Sequence, residues 1–329
     1  MDQPSSPEIS AVIPLMDEAA NVAPLLAALQ PVLAACTTSY EIIFVDDGSQ
    51  DGTLAALRRA HGEDGRIKVV ALSRNFGKEI AIAAGLDAVT GRAAIILDAD
   101  LQHPPSAIPA MVALWRQGYE NVYAARASRA EESRLKRFLT KRFYHIFELL
   151  GETPLPHGAG DFRLLDHKAV LALRAMGERA RFNKGLYSWI GFRSIGVPVV
   201  FERRHEGRSK FSYRKLTRFA FDGLMSFSTL PLKVWTYVGT LISTASVATA
   251  LYFLARTMIF GTDVPGFATL IVSLLFLAGV QLMSLGIMGE YVGRIFAEVK
   301  GRPLYLVSER LGLESEPGRG PLPPKSMET

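Results

Sequence analysis

Short apolar runs alternate with stretches of helical periodicity through the first half of this 329-residue chain. Residues 9–13, 41–45, 68–72 and 93–97 are rich in Ile and Val and are followed by Pro, Asp or Ser. Between them, residues 21–33, 53–61, 78–89 and 106–117 read as helices. Strands that alternate with helices predict an α/β fold, a mostly parallel sheet covered on both faces. Ligands of such sheets sit beyond the carboxyl ends of the strands, and the polar motifs of this chain fall at those ends. No internal repeat of fixed period is visible.

From residue 134 to 150 the pattern changes. Leu135, Phe138, Leu139, Phe143, Ile146, Phe147 and Leu150 keep helical spacing, with Arg134, Lys136, Arg137, Lys141 and Arg142 among them. A basic amphipathic helix of this kind suits a membrane surface, and equally a core-packed position with a solvated basic face. The second half favours the membrane. Residues 234–255 and 266–289 are apolar stretches of 22 and 24 residues without a charged side chain. At about 1.5 Å per residue each can cross a hydrocarbon core about 30 Å thick, and two in succession predict a transmembrane hairpin rather than a pair of core helices.

The flanks give the orientation. Lys210, Arg214, Lys215, Arg218 and Lys233 precede the first stretch, Arg294, Lys300 and Arg302 follow the second, and the loop between holds one basic residue, Arg256. The positive-inside rule puts that loop outside and both termini in the cytoplasm. Phe219, Phe221, Leu224, Met225 and Phe227 make a second interfacial helix of residues 211–232. The tail after Glu316, rich in Pro, Gly and charge, predicts disorder. The expected organisation is a cytoplasmic α/β domain over 1–210, an interfacial region over 211–232, the hairpin over 233–290, and a cytoplasmic C-terminal segment with its tail over 291–329.

Composition narrows the partners only modestly. Hydrophobic residues make up 49% and charged residues 21% of the chain, which fits a globular domain with embedded segments. A net charge of +5 suits nucleotide phosphates, lipid phosphates or an anionic leaflet. Cys36 is the only cysteine, so an intrachain disulfide and a cysteine-based zinc site are excluded. The first eight residues lack the basic and apolar regions of a signal peptide.

Acidic clusters stand at three strand ends. Glu18 follows the first strand, Asp46-Asp47-Gly48-Ser49 the second, and Asp98-Ala99-Asp100-Leu101-Gln102 the fourth. Carboxylates that face an anionic diphosphate call for a bridging divalent cation, a hard ion with oxygen ligands. In Asp98-Ala99-Asp100 the first and third residues share a face of an extended segment, and Gln102 adds a neutral oxygen. Taken singly, Asp-Asp-Gly-Ser is common turn chemistry and Asp-x-Asp a weak motif. Their order and spacing across a strand–helix alternation is far more specific.

Val12-Ile13-Pro14 with Glu18, the run from Val45 to Thr53, and the run from Leu97 to Pro105 resemble family 2 glycosyltransferases of GT-A fold. The likeness is to the branch of dolichyl-phosphate mannose synthase and the bacterial polyprenyl-phosphate glycosyltransferases, and it covers about residues 9–300. Gly160-Asp161-Phe162-Arg163-Leu164 and the run from Arg204 to Lys210 extend it. The resemblance implies inverting transfer of a sugar from a UDP- or GDP-linked donor to a polyprenyl phosphate such as undecaprenyl phosphate, at the inner membrane. It implies donor contacts from Pro14, Glu18, Val45, Asp47 and Ala99, with Met16 where relatives often carry Tyr. It gives Mg2+ or Mn2+ to Asp98, Asp100 and Gln102, and phosphate contacts to Arg126, Arg204 and Lys210. Arg134, Arg137 and Arg142 are placed to recruit the lipid phosphate, and Asp161 to orient the acceptor, act as a base, or simply cap a turn before a helix over 168–176. A homo-oligomer, with a tetramer as one form, belongs to the same expectation; nucleic acid does not.

Other readings compete. A processive polysaccharide synthase of the same superfamily carries Gln-x-x-Arg-Trp, and neither Trp189 nor Trp235 sits in that context. A sugar-nucleotide-binding scaffold without catalysis is disfavoured by the intact Asp98, Asp100, Arg204 and Lys210. A dinucleotide-dependent dehydrogenase lacks its G-x-G-x-x-G after the first strand.

Overall fold

The computed structural model describes residues 7–126, 159–179, 181–199, 230–260 and 266–313. The basic helix expected over 134–150, residues 211–229 of the expected interfacial helix, and the tail lie outside the described residues, and with them Arg134, Arg137, Arg142, Arg204 and Lys210.

The four apolar runs form β1 (Ile9–Leu15), β2 (Tyr40–Asp46), β3 (Ile67–Leu72) and β4 (Ala93–Ile96). They pair in parallel, β4 beside β1, β1 beside β2 and β2 beside β3. Parallel strands covered on both faces read as unbroken Ile/Val runs, and every residue of β1 and β2 is buried. The intervening helices are α1 (Ala19–Cys36), α2 (Thr53–Glu63), α3 (Lys78–Ala88) and α4 (Ile108–Arg116). α3 lies directly on β1 and β2, because Gly85 offers no Cβ at the crossing. A Cβ there would stand 2.3 Å from Val12 Cγ1 and 2.9 Å from Val45 Cγ2.

α1 shows why composition alone misplaces helices. Its 18 residues are apolar enough to cross a bilayer by length and hydropathy. Yet Val22, Leu25, Leu29 and Leu33 are buried in the core beside β1 and β2 residues, so α1 belongs to the α/β unit.

Beyond β4 the sheet becomes mixed. β5 (Asn121–Arg126), β6 (Ala159–Asp166), α5 (His167–Ala175), α6 (Asn183–Trp189) and β7 (Ser194–Val199) follow in chain order. β6 runs antiparallel between β4 and β5, and β7 pairs in parallel with β5. The eighth strand, β8 (Val307–Leu311), comes from the part of the chain that sequence reading leaves in a separate C-terminal segment. It pairs antiparallel with β3, and the order is β7-β5-β6-β4-β1-β2-β3-β8.

The other unit, residues 150–152 and 217–301, contains two long helices, α7 (Leu230–Phe260) and α8 (Phe267–Val299). Both are long and apolar enough to cross a membrane, over Tyr237–Phe260 and Phe276–Val299. Large apolar side chains such as Leu241, Phe276 and Leu282 are exposed on them.

Candidate active site

The loops after β1 and β2 are stitched to each other. The Asp17 N–H donates to Ser49 Oγ at 2.9 Å and the Gln50 N–H to Asp17 Oδ1 at 2.9 Å. The Glu18 N–H donates to Thr53 Oγ1 at 3.0 Å, and Asp51 accepts from the N–H groups of Ala19 and Thr53. Polar residues thus satisfy the first amides of α1 and α2, which a helix start leaves without partners. The carboxylate of Glu18 accepts from Asn21 Nδ2.

Asp47 reaches further. Its Oδ1 and Oδ2 accept from the N–H groups of Phe76 and Gly77 at 2.7 and 2.9 Å. Burial pushes its carboxyl up, and these two bonds pull it back. This carboxylate therefore holds the β3–α3 loop against the end of β2. Gly48 completes that contact at φ +71, where a Cβ would stand 2.4 Å from Arg74 C and 2.6 Å from Asn75 N. The left-handed backbone and the clash with main-chain atoms act together. Gly48→Ala is expected to destabilise the fold by at least about 2 kcal/mol, read as a fall in the urea midpoint.

The expected donor contacts divide on this frame. Pro14 and Val45 are register partners and both are buried. The Val45 side chain packs beneath α3, and the residue is fully buried one position before the end of β2. Met16, half-buried, receives Asn75 Nδ2 at 2.7 Å from its Sδ. Ala99 is buried. Arg126 ends β5, and its side chain lies outside the described residues.

The second half of the site is an array of charges around α3. Lys78 Nζ lies 2.6 Å from Asp98 Oδ1 and 3.0 Å from Asp161 Oδ2. His103 Nδ1 stands 3.7 Å from Asp98 Oδ2, its ring stacked on Phe162 with centroids 5.1 Å apart. Asp100 Oδ1 accepts the Gln102 N–H at 3.1 Å, across Leu101, whose φ is 58. Asp161 is nearly buried, and its Oδ1 has no hydrogen-bond partner among the described residues. Burial alone would raise its pKa, but Lys78, Lys184 and Arg163 outweigh that and hold it at about 2. The cap of α5 is Asp166, which accepts the Lys168 N–H at 3.0 Å, so Asp161 is released from the capping role.

Sequence reasoning missed several members of this array. Arg163 is buried, donates to Gly160 O at 2.6 Å, and holds its guanidinium carbon 3.6 Å over the ring of Tyr187. The Asn183 N–H donates to Glu79 Oε2 at 3.0 Å, tying the start of α6 to α3. The run Asn75-Phe76-Gly77-Lys78-Glu79 at the carboxyl end of the third strand was the available signal, since ligand sites of such sheets gather there.

Burial, with Asp161 close by, raises Glu79 from its usual 4.5 to about 7, opposed by the Asn183 bond and by Lys78 and Lys184. The folded chain then keeps a proton that the unfolded chain has lost. The stability this gives is full below 4.5 and disappears as pH rises through about 7. Asp161 works oppositely, its share being present above 3.8 and lost as pH falls through about 2. Glu79→Gln, whose amide oxygen can still accept from Asn183, should remove the decline between pH 5 and 7. It should gain about 1–3 kcal/mol at pH 8, measured by melting across pH.

For a cation, the described residues contain no cluster of three or more His, Cys, Asp or Glu with metal-site geometry. Asp98 and Asp100 nevertheless fit Mg2+ or Mn2+, because such ions commonly take one or two carboxylates and complete their shell with substrate phosphates and water.

Residues 10–173 match the model of the glycosyl transferase family 2. An uncharacterized glycosyltransferase of Synechocystis sp. is 50% identical over 310 residues, which cover 94% of this chain and 98% of that protein. The chain belongs to glycosyl transferase family 2. As a family 2 glycosyltransferase it has the GT-A fold, with the mixed sheet and flanking helices described above. A protein named bactoprenol glucosyl transferase, from Shigella phage SfX, is 37% identical over 303 residues, covering 92% of this chain and 99% of that one. A mannosyltransferase of Pyrobaculum calidifontis, solved with GDP-Man and Mn2+, aligns over 86% of this chain and 88% of its own at 17% identity, with a TM-score of 0.43.

Proposed function

We propose that this glycosyltransferase moves a sugar from a nucleotide diphosphate-sugar to a polyprenyl phosphate at the cytoplasmic face of a membrane. The observation that carries the reading is the span of its likeness to a bactoprenol glucosyl transferase, 92% of the chain, which takes in the long apolar helices as well as the sheet. Two helices fit to cross a bilayer would keep the site beside a lipid substrate.

Asp98 and Asp100, with Gln102, would hold the Mg2+ or Mn2+ whose charge offsets that of the departing diphosphate. The rest falls to the chain. The ends of β1, β2 and β4 and the loops after them would seat the nucleoside through Pro14, Met16, Glu18, Val45, Asp47 and Ala99, with Asp47 also bracing the β3–α3 loop. Arg126, Arg204 and Lys210 would close over phosphate, and Arg134, Arg137 and Arg142 would gather the acceptor head group.

A phosphate monoester has a second pKa near 6, so it is already largely an anionic nucleophile at neutral pH. It needs alignment and screening more than a base. A carboxyl held at about 2 is a weak base, so Asp161 is assigned to orientation. Direct displacement inverts the anomeric carbon.

Purified full-length protein incubated with undecaprenyl phosphate and a panel of labelled UDP- and GDP-sugars should send label from one donor into the organic phase. Donor bound without a lipid product would support a scaffold, and chains of several sugars a processive synthase. Either outcome defeats the proposal.

A further inference from the structure

β4 and β6 are antiparallel neighbours whose last paired residues are Ile96 and Arg163. Continuing that register by two residues puts Asp98 opposite Asp161. Like charges directly opposite each other on a ladder repel, and backbone pairing has ended just before they meet. Lys78 resolves the conflict from a third element. It is the first residue of α3, and its Nζ lies within hydrogen-bond distance of both, at 2.6 Å from Asp98 Oδ1 and 3.0 Å from Asp161 Oδ2. The start of α3 is itself fixed by Asp47, which accepts the Phe76 and Gly77 N–H groups. It is held on its other side by Glu79, which binds both the main chain and, through its carbonyl, the side chain of Asn183. The side chain is partly exposed, and its ammonium is aimed by a braced helix start and by the two carboxylates it bonds.

We infer that Lys78 is a positioning residue of the transfer site. It bridges the acid at the leaving-group side to the acid at the acceptor side, and by occupying one oxygen of Asp98 it competes with a divalent cation for that carboxylate. The inference rests on the reading of Asp98 as a cation ligand. Its consequence runs against the usual effect of losing a charged site residue, because the variant without the charge should bind the ion more tightly.

The test uses full-length protein without donor or acceptor and Mn2+ alone as probe, read by loss of the free-ion paramagnetic resonance signal. Lys78→Met should bind Mn2+ at least about fivefold more tightly than the parent, since a unit charge in contact with the ligand is gone. Lys78→Arg, which restores the charge, should bind like the parent. Lys78→Met should also melt earlier in chelator, because its two carboxylates then face each other without a cation. Should that variant not fold, Asp161→Asn removes the repulsion, and the same Mn2+ comparison is made between Asp161→Asn and Lys78→Met/Asp161→Asn. Equal or weaker Mn2+ binding without Lys78 overturns the inference and leaves the cation reading standing. Mn2+ binding by none of the proteins, either alone or with added UDP or GDP, overturns both.

Discussion

Asp100→Ala should lower sugar transfer by at least about three orders of magnitude, as expected when a group acting on the developing charge of the leaving diphosphate is lost. The same change should leave the fold in place. Asp100 is half-buried in the loop after β4, where it accepts the Gln102 N–H at 3.1 Å. Losing a hydrogen bond of that kind costs about 1 kcal/mol. Asp100→Asn keeps an oxygen for Gln102 and loses only the negative charge, so it separates the two roles. Both variants should be nearly inactive, and only Asp100→Ala should show a measurable fall in melting temperature. Transfer retained undiminished by either variant in Mg2+ would count against the metal role.

The second large effect concerns β8. A chain cut after residue 229 would delete both long helices, and it would also strip the sheet of its edge strand. β8 pairs with β3 from Val69–Leu311 to Leu72–Val307. Its neighbourhood adds the Arg58–Glu309 ion pair and the hydrogen bond from Tyr305 Oη to Asp87 at 2.7 Å. Partly exposed bonds of these kinds contribute roughly 0.5–1.5 kcal/mol each. A net loss of about 3 kcal/mol corresponds to roughly 6–12 °C in a unit of this size. Residues 1–229 alone should therefore melt far below the full chain, whereas residues 1–229 joined by a flexible linker to 302–313 should recover most of the difference. Equal melting of the two shortened proteins would show that β8 contributes little. The linked form is the suitable one for separating nucleotide binding from use of long-chain lipid.

The parts of the fold that could be read in advance share a physical cause. β1 to β4 are buried almost throughout, so their residues are mostly apolar and the runs stand out; the polar exceptions Ser10 and Lys68 are both paired with Glu41. β7, with Gly196 and Pro198, and β8, with Glu309 and Arg310, lie at the two edges of the sheet. Edge strands tolerate charge, Gly and Pro, so their sequences resemble loops. α1 misleads in the opposite sense, because a helix packed on a sheet and flanked by others can be as apolar as a membrane span.

The site was legible to the same extent. Acidic motifs at strand ends fall on one face of the fold, because chain order alone puts them there in a parallel sheet. What those carboxylates touch depends on elements far apart in sequence. Asp47 bonds to amides about 30 residues away, and Lys78 to carboxylates 20 and 83 positions away, relations that no local pattern records. Asp161 was singled out as an acid, but its partner and its low pKa came only from the folded arrangement.

The most direct test of the whole account is the initial rate of organic-phase glycolipid formation by the full-length protein, with matched donor and undecaprenyl phosphate, in Mg2+ or Mn2+ and then in excess chelator. Loss of at least about a hundredfold in chelator, recovered when the ion is returned, is the predicted result. Glycolipid formed at an undiminished rate without the ion would contradict it.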